Sequence, residues 1–441
     1  MLQTLRKIIL FSGDLLFLFL ALYVTFAIRY PADKIALNFG RNLPHFLIIF
    51  FIWLLIFYIN GLYNLNLKIR DRKFFFNVIN SVLVSSILSI SYFYLNVHSD
   101  ITPKTNLALF IAIFTILFFI WREIFNLLVS AVIPQNNLAI IGLNKYSENL
   151  LKELQNRPGS GYQTALIFKS AEELDSLPQS IIEKNIKTIV VCDYFGQSEK
   201  MSEILFDCLS YSVNFFSYPD FYEILSGKIP VEAIGPDWFI ENLKEGEKNY
   251  FNFLKRLVDI ILSLIIFIVS LPFWPLIALI IALGSRGPVF FRQARVGRNE
   301  KEFKIIKFRS MRENNNDRSI TEDHDKRITS FGNFLRKTRL DEIPQVLNII
   351  KGEMSFIGPR PERPELIEEL EKQIPFYKTR LLIKPGLTGW DQVSGEYHSA
   401  SSEDTLEKLQ HDLYYLKQRS LYLDLDIALR TIATMMSRGG R

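Results

Sequence analysis

The stretch from residue 253 to residue 283, FLKRLVDIILSLIIFIVSLPFWPLIALIIAL, is apolar over a length sufficient to cross a membrane. Pro272 and Pro275 interrupt it, and each proline removes a backbone donor and bends or breaks a helix. Lys255 and Arg256 precede the break, and four arginines follow the stretch, namely Arg286, Arg292, Arg295 and Arg298. Because basic flanks favour the cytoplasm, a helix that enters the membrane, breaks at the prolines and returns to the same face satisfies both flanks. A proline-kinked full span is the alternative.

Four more apolar stretches occupy the first third of the chain. They cover residues 8–28, 43–62, 74–95 and 106–121. Each approaches the ~20 residues that a helix needs to cross about 30 Å of hydrocarbon, so residues 1–130 predict a four-helix transmembrane domain. The first stretch is too long for a cleaved signal peptide and further spans follow it, so we expect it to be retained. Asp14 within it is either a functional intramembrane acid or a packing residue.

The distribution of basic residues predicts the orientation of these spans. Arg6 and Lys7 precede the first span, and a basic loop follows the second span, with Lys68, Arg70, Arg72 and Lys73. The connection after the third span has Lys104 as its sole basic residue. This asymmetry places the N-terminus and the second loop in the cytoplasm, although the first loop, with Arg29, Lys34 and Arg41, weakens it.

The composition excludes several classes of protein. With 441 residues and about 150 residues per domain, the chain suggests roughly three folded units. Its two cysteines, Cys192 and Cys208, are too few for a disulfide-stapled module or a zinc ribbon. Mean hydropathy is positive although 22% of the residues are charged, so apolar and charged residues are segregated along the chain, which excludes disorder. The net charge of +5 is too small to indicate nucleic-acid binding.

Residues 135–248 have a different texture, in which short apolar runs alternate with polar helical patterns. The runs at 138–142, 165–169, 188–192 and 213–218 predict buried strands, and residues 148–155 and 198–210 predict helices. This alternation predicts a small α/β domain with a parallel sheet. The first turn, Ile141-Gly142-Leu143-Asn144, has one glycine where a dinucleotide site needs three, so a scaffold or regulatory role is favoured over nucleotide binding.

Basic residues after the proline-broken stretch indicate a site for anionic phosphates. Two short segments, residues 291–297 and 307–311, supply four candidate substrate-binding residues, namely Gln293, Arg295, Lys307 and Arg309. Arg360 lies between two prolines, whose restricted backbone preorganises a guanidinium for bidentate phosphate binding. A solvated basic surface and a structural turn are the alternatives for these segments.

A pair of adjacent carboxylates, Asp341 and Glu342, follows three cations in the sequence, Arg336, Lys337 and Arg339, and precedes Gln345. Both carboxylates can reach one divalent cation, and Mg²⁺ is a hard cation that suits oxygen ligands. We therefore predict that Asp341 and Glu342 are catalytic residues that bind Mg²⁺, and that Gln345 is a further substrate-binding residue. The cations that precede Asp341 are expected to hold its pKa low.

An ordered set of motifs resembles the bacterial polyprenyl-phosphate hexose-1-phosphate transferases, also termed large monotopic phosphoglycosyl transferases. The motifs are Lys255-Arg256-x-x-Asp259, Gly287-Pro288-Val289-Phe290-Phe291-x-Gln293, Lys307-Phe308-Arg309-Ser310-Met311, Leu340-Asp341-Glu342-x-Pro344-Gln345, Gly358-Pro359-Arg360-Pro361 and Lys384-Pro385-Gly386-x-Thr388-Gly389. The four spans and the α/β domain, a degenerate Rossmann-like domain, resemble the large form of that family. Residues 250–441 then form a mainly helical catalytic domain with a re-entrant membrane helix.

The resemblance implies transfer of a sugar 1-phosphate from a UDP-sugar to undecaprenyl phosphate, with release of UMP, at the start of a surface polysaccharide repeat unit. It implies that Asp341 is the nucleophile, that an aspartyl phosphosugar forms, and that Arg336 and Arg360 contact phosphate. The implied partners are the UDP-sugar, undecaprenyl phosphate and the lipid bilayer, and the implied location is the bacterial inner membrane with the catalytic domain on the cytoplasmic face. The sequence leaves open whether a homodimer forms.

The sequence departs from the family pattern at Asp391 and Glu396, where Ala and Arg are common, so the donor sugar stays open. Two alternative functions also stay open: a membrane-associated glycosyltransferase that releases UDP, and a non-enzymatic scaffold or chain-length regulator that would tolerate loss of Asp341. A P-loop enzyme is excluded, since the chain contains no Gly-x-x-x-x-Gly-Lys-Ser/Thr motif. The apolar residues at helical spacing between Leu406 and Met436 predict either an interfacial helix or core packing.

Overall fold

The computed structural model describes residues 2–65, 72–95, 103–132, 135–169, 171–192, 199–312, 325, 327–394 and 402–437. The chain forms two compact units, Met1–Phe221 and Tyr222–Arg441, which we call the N-terminal and C-terminal units. The division into three domains that the sequence suggested stays a prediction.

Four long helices form the apolar part of the N-terminal unit: α1 (Leu2–Arg29), α2 (Ala32–Ile59), α3 (Arg72–Leu95) and α4 (Pro103–Val132). Each contains a segment long and apolar enough to cross a membrane. Helix α2 begins well before the predicted span at residue 43. The prediction from apolar length includes only the apolar part of this helix. Its first turns are polar, and there Asn38 and Asn42 donate to backbone carbonyls one turn earlier.

A buried ion pair joins α1 to α4. Arg122 Nη2 donates to Asp14 Oδ2 at 2.8 Å, and both side chains are buried. Gly13 makes room for this contact, because a Cβ at that position would lie 1.9 Å from the ring of Trp121. Of the two interpretations of Asp14, the pair favours a packing residue between two helices.

The rest of the N-terminal unit contains the parallel α/β domain that the sequence predicted. The strands β1 (Asn136–Ile141), β2 (Tyr162–Phe168), β3 (Ile186–Val191) and β4 (Asn214–Ser217) pair in parallel in the order β2-β1-β3-β4. The helices are α5 (Lys145–Asn156), α6 (Leu177–Glu183), α7 (Glu199–Asp207) and α8 (Tyr218–Ser226), the last of which continues into the C-terminal unit. Short connections between alternating strands and helices impose this parallel order.

Asn144 occupies the position where dinucleotide-binding folds receive phosphate, beyond the carboxyl ends of β1 and β3. Its Nδ2 donates to the carbonyl of Cys192 at 3.0 Å. Its Oδ1 accepts from the backbone N–H groups of Tyr146 and Ser147 at 2.9 and 3.1 Å. Two backbone donors at the start of α5 that a phosphate would need are therefore already hydrogen-bonded.

The C-terminal unit is mainly helical. Its helices are α9 (Pro236–Asn242), α10 (Asn249–Ser270), α11 (Trp274–Gly284), α12 (Ser330–Lys337), α13 (Val346–Lys351), α14 (Pro364–Gln373), α15 (Trp390–Val393), α16 (Ser402–Gln418) and α17 (Leu421–Ser437). Its strands are β5 (Phe290–Val296) and β6 (Glu302–Phe308), which pair antiparallel, and β7 (Ser355–Ile357) and β8 (Gly386–Thr388), which pair in parallel.

The apolar stripe of α16 is part of the core of this unit. Leu409, Leu413 and Leu416 are fully buried, so core packing explains their spacing. Helix α17 adds Leu423 and Ile427 to the same core, whereas Leu421 and Tyr422 on its first turn are exposed.

Helices α10 and α11 form the proline-broken apolar segment. A 3-10 turn, Leu271–Phe273, separates them and contains Pro272. Pro275 lies in the first turn of α11, where a helix loses no internal hydrogen bond to proline. The whole segment, Asn249–Gly284, is long and apolar enough to cross a membrane, and most of its surface is exposed.

Candidate active site

A short turn carries the two adjacent carboxylates. Asp341 and Glu342 lie in the 3-10 helix Leu340–Gln345, between α12 and α13. Arg339, directly before it, has a φ of 57°, a left-handed conformation that costs energy for a residue other than glycine. The turn buries both carboxylates and leaves 7% of Asp341 and 8% of Glu342 exposed. Strained backbone next to buried charge is typical of a functional site.

Asn348 on α13 fixes this turn against strand β6. Its buried side chain accepts a hydrogen bond from the Ile306 N–H at 3.2 Å and donates to the Lys304 carbonyl at 2.8 Å. Lys307 is the next residue along β6. The two hydrogen bonds therefore set the position of the Lys307 backbone relative to the carboxylates.

Glu342 has three cations around it. Lys307 Nζ donates to Glu342 Oε1 at 2.6 Å, and Arg360 Nη2 lies 3.6 Å from the same oxygen. Arg339 Nη1 lies 3.9 Å from Glu342 Oε2. Although burial opposes ionisation, Lys307 and Arg360 lower the pKa of Glu342 to about 2. Glu342 is therefore an anion at any physiological pH, and it holds these cations in place.

Asp341 has the opposite environment. Its Oδ1 is buried and has no hydrogen-bond partner among the described residues. Burial and the negative charge of Glu342 raise the pKa of Asp341 to about 6, against the opposing effects of Lys307 and two arginines. The sequence-based expectation of a low pKa is wrong, because Lys307 pairs with Glu342 and leaves Asp341 desolvated. Most of Asp341 is still ionised at neutral pH, as a carboxylate with an unpaired oxygen that can act as a nucleophile.

A small pocket opens beside the carboxylates. Its lining comes from β5, β6, the carboxylate turn, the Pro-Arg-Pro turn and β8, and consists of Arg295, Ile305, Lys307, Glu342, Gln345, Arg360, Pro361, Gly386 and Leu387. Arg295 remains a cation at neutral pH, although burial lowers its pKa to about 10. Three cations and one carboxylate meet in this lining, so the pocket suits a polyanion such as a diphosphate.

Three glycines bring the turn that carries Arg360 against β8. A Cβ on Gly386 would lie 2.2 Å from Gly358 N, and a Cβ on Gly389 would lie 2.5 Å from Gly358 O. Real Cβ atoms do not approach backbone so closely, so backbone packs directly on backbone here. The glycines of the sequence motifs on both sides of Arg360 therefore have a steric role.

The predicted site residues do not all meet at this pocket. Gln293 Oε1 accepts from Arg295 Nη2 at 2.9 Å, and Arg336 lies close enough to Asp341 to lower its pKa. Arg309 lies elsewhere, since its Nη2 donates to the Ser285 carbonyl at 2.7 Å and holds the chain directly after α11. Their roles in substrate binding stay predictions.

Of the two residues that depart from the family pattern, Asp391 lies within the described part of the chain and Glu396 does not. Asp391 Oδ1 lies 3.7 Å from His411 Nδ1. Sequence reasoning missed Arg380 and Asp412, which form a buried ion pair. They are 32 positions apart and belong to none of the motifs. The sequence indicates them only in that each is a charged residue among apolar neighbours.

Among the described residues, no group of three or more metal-ligating side chains comes together. Asp341 offers one oxygen without a described partner, whereas Glu342 is already paired with Lys307. Mg²⁺ commonly binds proteins through one or two carboxylates together with substrate phosphates. These residues therefore fit a Mg²⁺ ion that arrives with a diphosphate better than a resident ion in a protein cage.

Comparison with known proteins assigns the family. A sequence model described as bacterial sugar transferase matches residues 250–438, which include the carboxylate turn and the pocket. The chain is 32% identical over 342 residues to the UDP-glucose:undecaprenyl-phosphate glucose-1-phosphate transferase of Xanthomonas campestris pv. campestris. The matched stretch covers 72% of this chain and 70% of that protein. This chain belongs to the bacterial sugar transferase family. The resemblance stated from the motifs is confirmed.

Two further relatives each match less than half of this chain. The UDP-N-acetylgalactosamine-undecaprenyl-phosphate N-acetylgalactosaminephosphotransferase of Aeromonas hydrophila is 38% identical over 220 residues, 49% of this chain and 51% of that protein. The UDP-glucose:undecaprenyl-phosphate glucose-1-phosphate transferase of Escherichia coli (strain K12) is 42% identical over 185 residues, 41% of this chain and 39% of that protein. The match thus spans about half of the Aeromonas transferase and less of the Escherichia one.

Proposed function

We propose that this chain transfers a sugar 1-phosphate from a UDP-sugar to undecaprenyl phosphate and releases UMP, a step that starts a polysaccharide repeat unit. One observation carries the proposal: the buried Asp341 has an oxygen without a described partner beside a pocket whose cations suit a diphosphate. The names of the relatives, which combine a UDP-sugar with undecaprenyl phosphate, supply the two substrates.

The first proposed step is attack by Asp341. One carboxylate oxygen bonds to the phosphorus next to the sugar, the bond from that phosphorus to the bridging oxygen breaks, and UMP leaves with the electron pair. Lys307 and Arg360 neutralise the charge that develops on the leaving phosphate, and Glu342 keeps both cations in place. The enzyme then carries an aspartyl phosphosugar.

The second proposed step transfers the phosphosugar to the lipid. A phosphate oxygen of undecaprenyl phosphate bonds to the same phosphorus, and the bond to Asp341 breaks, which restores the carboxylate and gives undecaprenyl-diphosphate sugar. The two substrates therefore use one site in turn. A mixed anhydride must be kept from water, and the burial of Asp341 supports this requirement.

We propose that Mg²⁺ binds together with the donor diphosphate, with Asp341 as its protein ligand. When bound, the ion would neutralise diphosphate charge and thereby ease departure of UMP. Glu342 then serves as the anchor of Lys307 and Arg360 and does not need to bind the metal.

We also propose that α10 and α11 form a re-entrant helix. A straight helix of 36 residues would be ~54 Å long, well beyond about 30 Å of hydrocarbon. Arg256, near the start of α10, donates to the carbonyls of Ile349 and Ile350 at 2.6 and 2.7 Å. Arg309 holds the Ser285 carbonyl directly after α11. Because one folded unit binds both ends, a return to the same face is the simpler arrangement.

The proposed location follows from the same features. Helices α1 to α4 span the bacterial inner membrane, and the basic N-terminus and second loop face the cytoplasm. The catalytic unit then lies on the cytoplasmic face, where nucleotide sugars are available.

A panel of UDP-sugars tests the reaction. The full chain in detergent, given Mg²⁺ and one UDP-sugar without lipid, should release UMP in an amount that matches the enzyme. Mass spectrometry of the quenched enzyme should find one hexose phosphate on the peptide that contains Asp341. Asp341→Asn is the matched control and should give neither signal. UDP as the product would contradict the proposal and indicate a glycosyltransferase.

A further inference from the structure

The turn that carries Arg360 is held along its whole backbone. Four successive carbonyls, from residue 359 to residue 362, accept hydrogen bonds from other segments of the C-terminal unit. In the order of the carbonyls, the donors are the Gly386 N–H (2.9 Å), Arg380 Nη2 (3.0 Å), Arg295 Nη1 (3.0 Å) and the Val296 N–H (3.0 Å). Since prolines at 359 and 361 also fix two φ angles, this turn has little freedom left.

Of the two side chains among these donors, Arg380 is more deeply buried than Arg295. It is 5% exposed, and its Nη1 donates to the Tyr377 hydroxyl at 2.6 Å. Its Nη2 also lies 2.8 Å from Asp412 Oδ2, so the two side chains form an ion pair. The geometry of this pair is not that of a hydrogen bond. A buried ion pair stabilises a fold little compared with apolar residues of similar volume. Stability alone therefore does not explain why Arg380 and Asp412 are charged.

We propose that Arg380 is a positioning residue for diphosphate binding. By donating to the Arg360 carbonyl, Arg380 fixes the Arg360 guanidinium at the pocket. The inference rests on the proposed function, since it takes a diphosphate as the ligand. The Arg360 side chain is 45% exposed and has Glu342 as its described charge contact, at 3.6 Å, so its placement depends on the backbone beneath it. A preorganised guanidinium loses less freedom on binding than a mobile one. Arg380 does not line the pocket and thus acts through Arg360.

Arg380→Lys is the test variant. Lysine keeps a positive charge beside Asp412, which protects the fold, but a single nitrogen does not reproduce the fork that reaches Tyr377 and the Arg360 carbonyl together. Pro361→Ala is a second variant, because it loosens the turn without touching the buried pair. Arg419→Lys is the matched control, since Arg419 is also buried and pairs with Glu245.

The assay is a double-mutant cycle with Arg360→Ala in the full-length chain. Titration calorimetry measures binding of inorganic pyrophosphate, and UMP release from a UDP-sugar is measured in parallel. Arg380→Lys should weaken pyrophosphate binding about tenfold when Arg360 is present and less than about twofold in the Arg360→Ala background. Pro361→Ala should behave in the same way. Arg419→Lys should change binding by less than about twofold in both backgrounds.

Equal losses in both backgrounds would overturn the inference, because Arg380 would then act independently of Arg360. Absence of pyrophosphate binding in the unmodified chain would overturn it as well. If Arg380→Lys does not fold, as judged by its melting temperature, Tyr377→Phe takes its place in the cycle, because it removes the hydroxyl that accepts from Arg380 Nη1 and so loosens Arg380 itself. Coupled loss of pyrophosphate binding in a chain that releases no UMP from any UDP-sugar would leave the inference standing and refute the proposed function.

Discussion

Replacement of Asp341 by asparagine should abolish activity and stabilise the fold at alkaline pH. Burial and the charge of Glu342 raise the pKa of Asp341 from 3.8 to about 6. Because the unfolded chain ionises more easily than the folded chain, the ionised carboxylate destabilises the fold above pH 6, and this penalty disappears as the pH falls from 6 to 3.8. At about 1.4 kcal/mol per pKa unit, the penalty is about 3 kcal/mol, which an amide avoids.

Glu342→Gln is the matched control, because it makes the same chemical change on the same turn with the opposite expected sign. The cations lower the pKa of Glu342 from 4.5 to about 2 despite its burial. The ionised Glu342 therefore stabilises the fold above pH 4.5, and this contribution is lost as the pH falls through 2. By the same arithmetic, Glu342→Gln should cost about 3 kcal/mol at neutral pH.

Thermal unfolding of the full chain in detergent, followed by tryptophan fluorescence at pH 8, compares the two variants. We expect Asp341→Asn to melt above the unmodified chain and Glu342→Gln to melt below it. Asp341→Asn should release no UMP, since an amide is a poor nucleophile. Glu342→Gln should retain reduced activity, since it loosens Lys307 and Arg360 but leaves the nucleophile in place. A melting temperature of Asp341→Asn below that of the unmodified chain at pH 8 would refute the electrostatic reasoning. UMP release by Asp341→Asn at a comparable rate would refute the covalent mechanism.

Three further predictions concern the pH profile, the topology and the middle domain. The rate of UMP release should fall about tenfold from pH 7 to pH 5, because the pKa of Asp341 is about 6. A rate that does not change with pH in stopped-flow or quench measurements would exclude Asp341 as the titrating nucleophile. Lys248→Cys and Arg298→Cys should react with an impermeant reagent from the same side of sealed vesicles, and labelling from opposite sides would contradict the re-entrant helix. A fragment of residues 135–248, the predicted α/β domain, should bind neither a dinucleotide nor a UDP-sugar at micromolar concentration in calorimetry, since Asn144 occupies the phosphate position. Binding would instead indicate metabolite control.

Local patterns predicted most of the architecture. Apolar length identified the helices of the N-terminal unit, and the alternation of short apolar runs with polar helices predicted the parallel sheet. The start of α2 at Ala32 was missed, because its first turns are polar and resemble a loop. The stripe on α16 had two explanations that periodicity cannot separate, and the burial of Leu409 and Leu413 separates them.

The candidate site was predictable in its membership and less so in its electrostatics. Motifs singled out Asp341, Glu342, Lys307 and Arg360, which the structure brings together. The pKa of Asp341 was predicted with the wrong sign, because order along the chain does not reveal which carboxylate the cations reach. Arg380 was missed for a related reason, since its contact with the backbone of the Pro-Arg-Pro turn depends on tertiary packing.

The ion pair between α1 and α4 has a consequence for biogenesis. Asp14 is synthesised 108 residues before its partner Arg122. If α1 spans the membrane as proposed, it enters the bilayer with an acid whose counter-ion does not yet exist. A nascent chain that ends after α3 therefore carries a charge that lipid disfavours by roughly 3 kcal/mol, and the arrival of α4 removes this penalty. Insertion of the bundle is then completed by its last helix, and a chain stopped after Leu95 should be degraded faster in a pulse-chase experiment than the same truncation with Asp14→Leu.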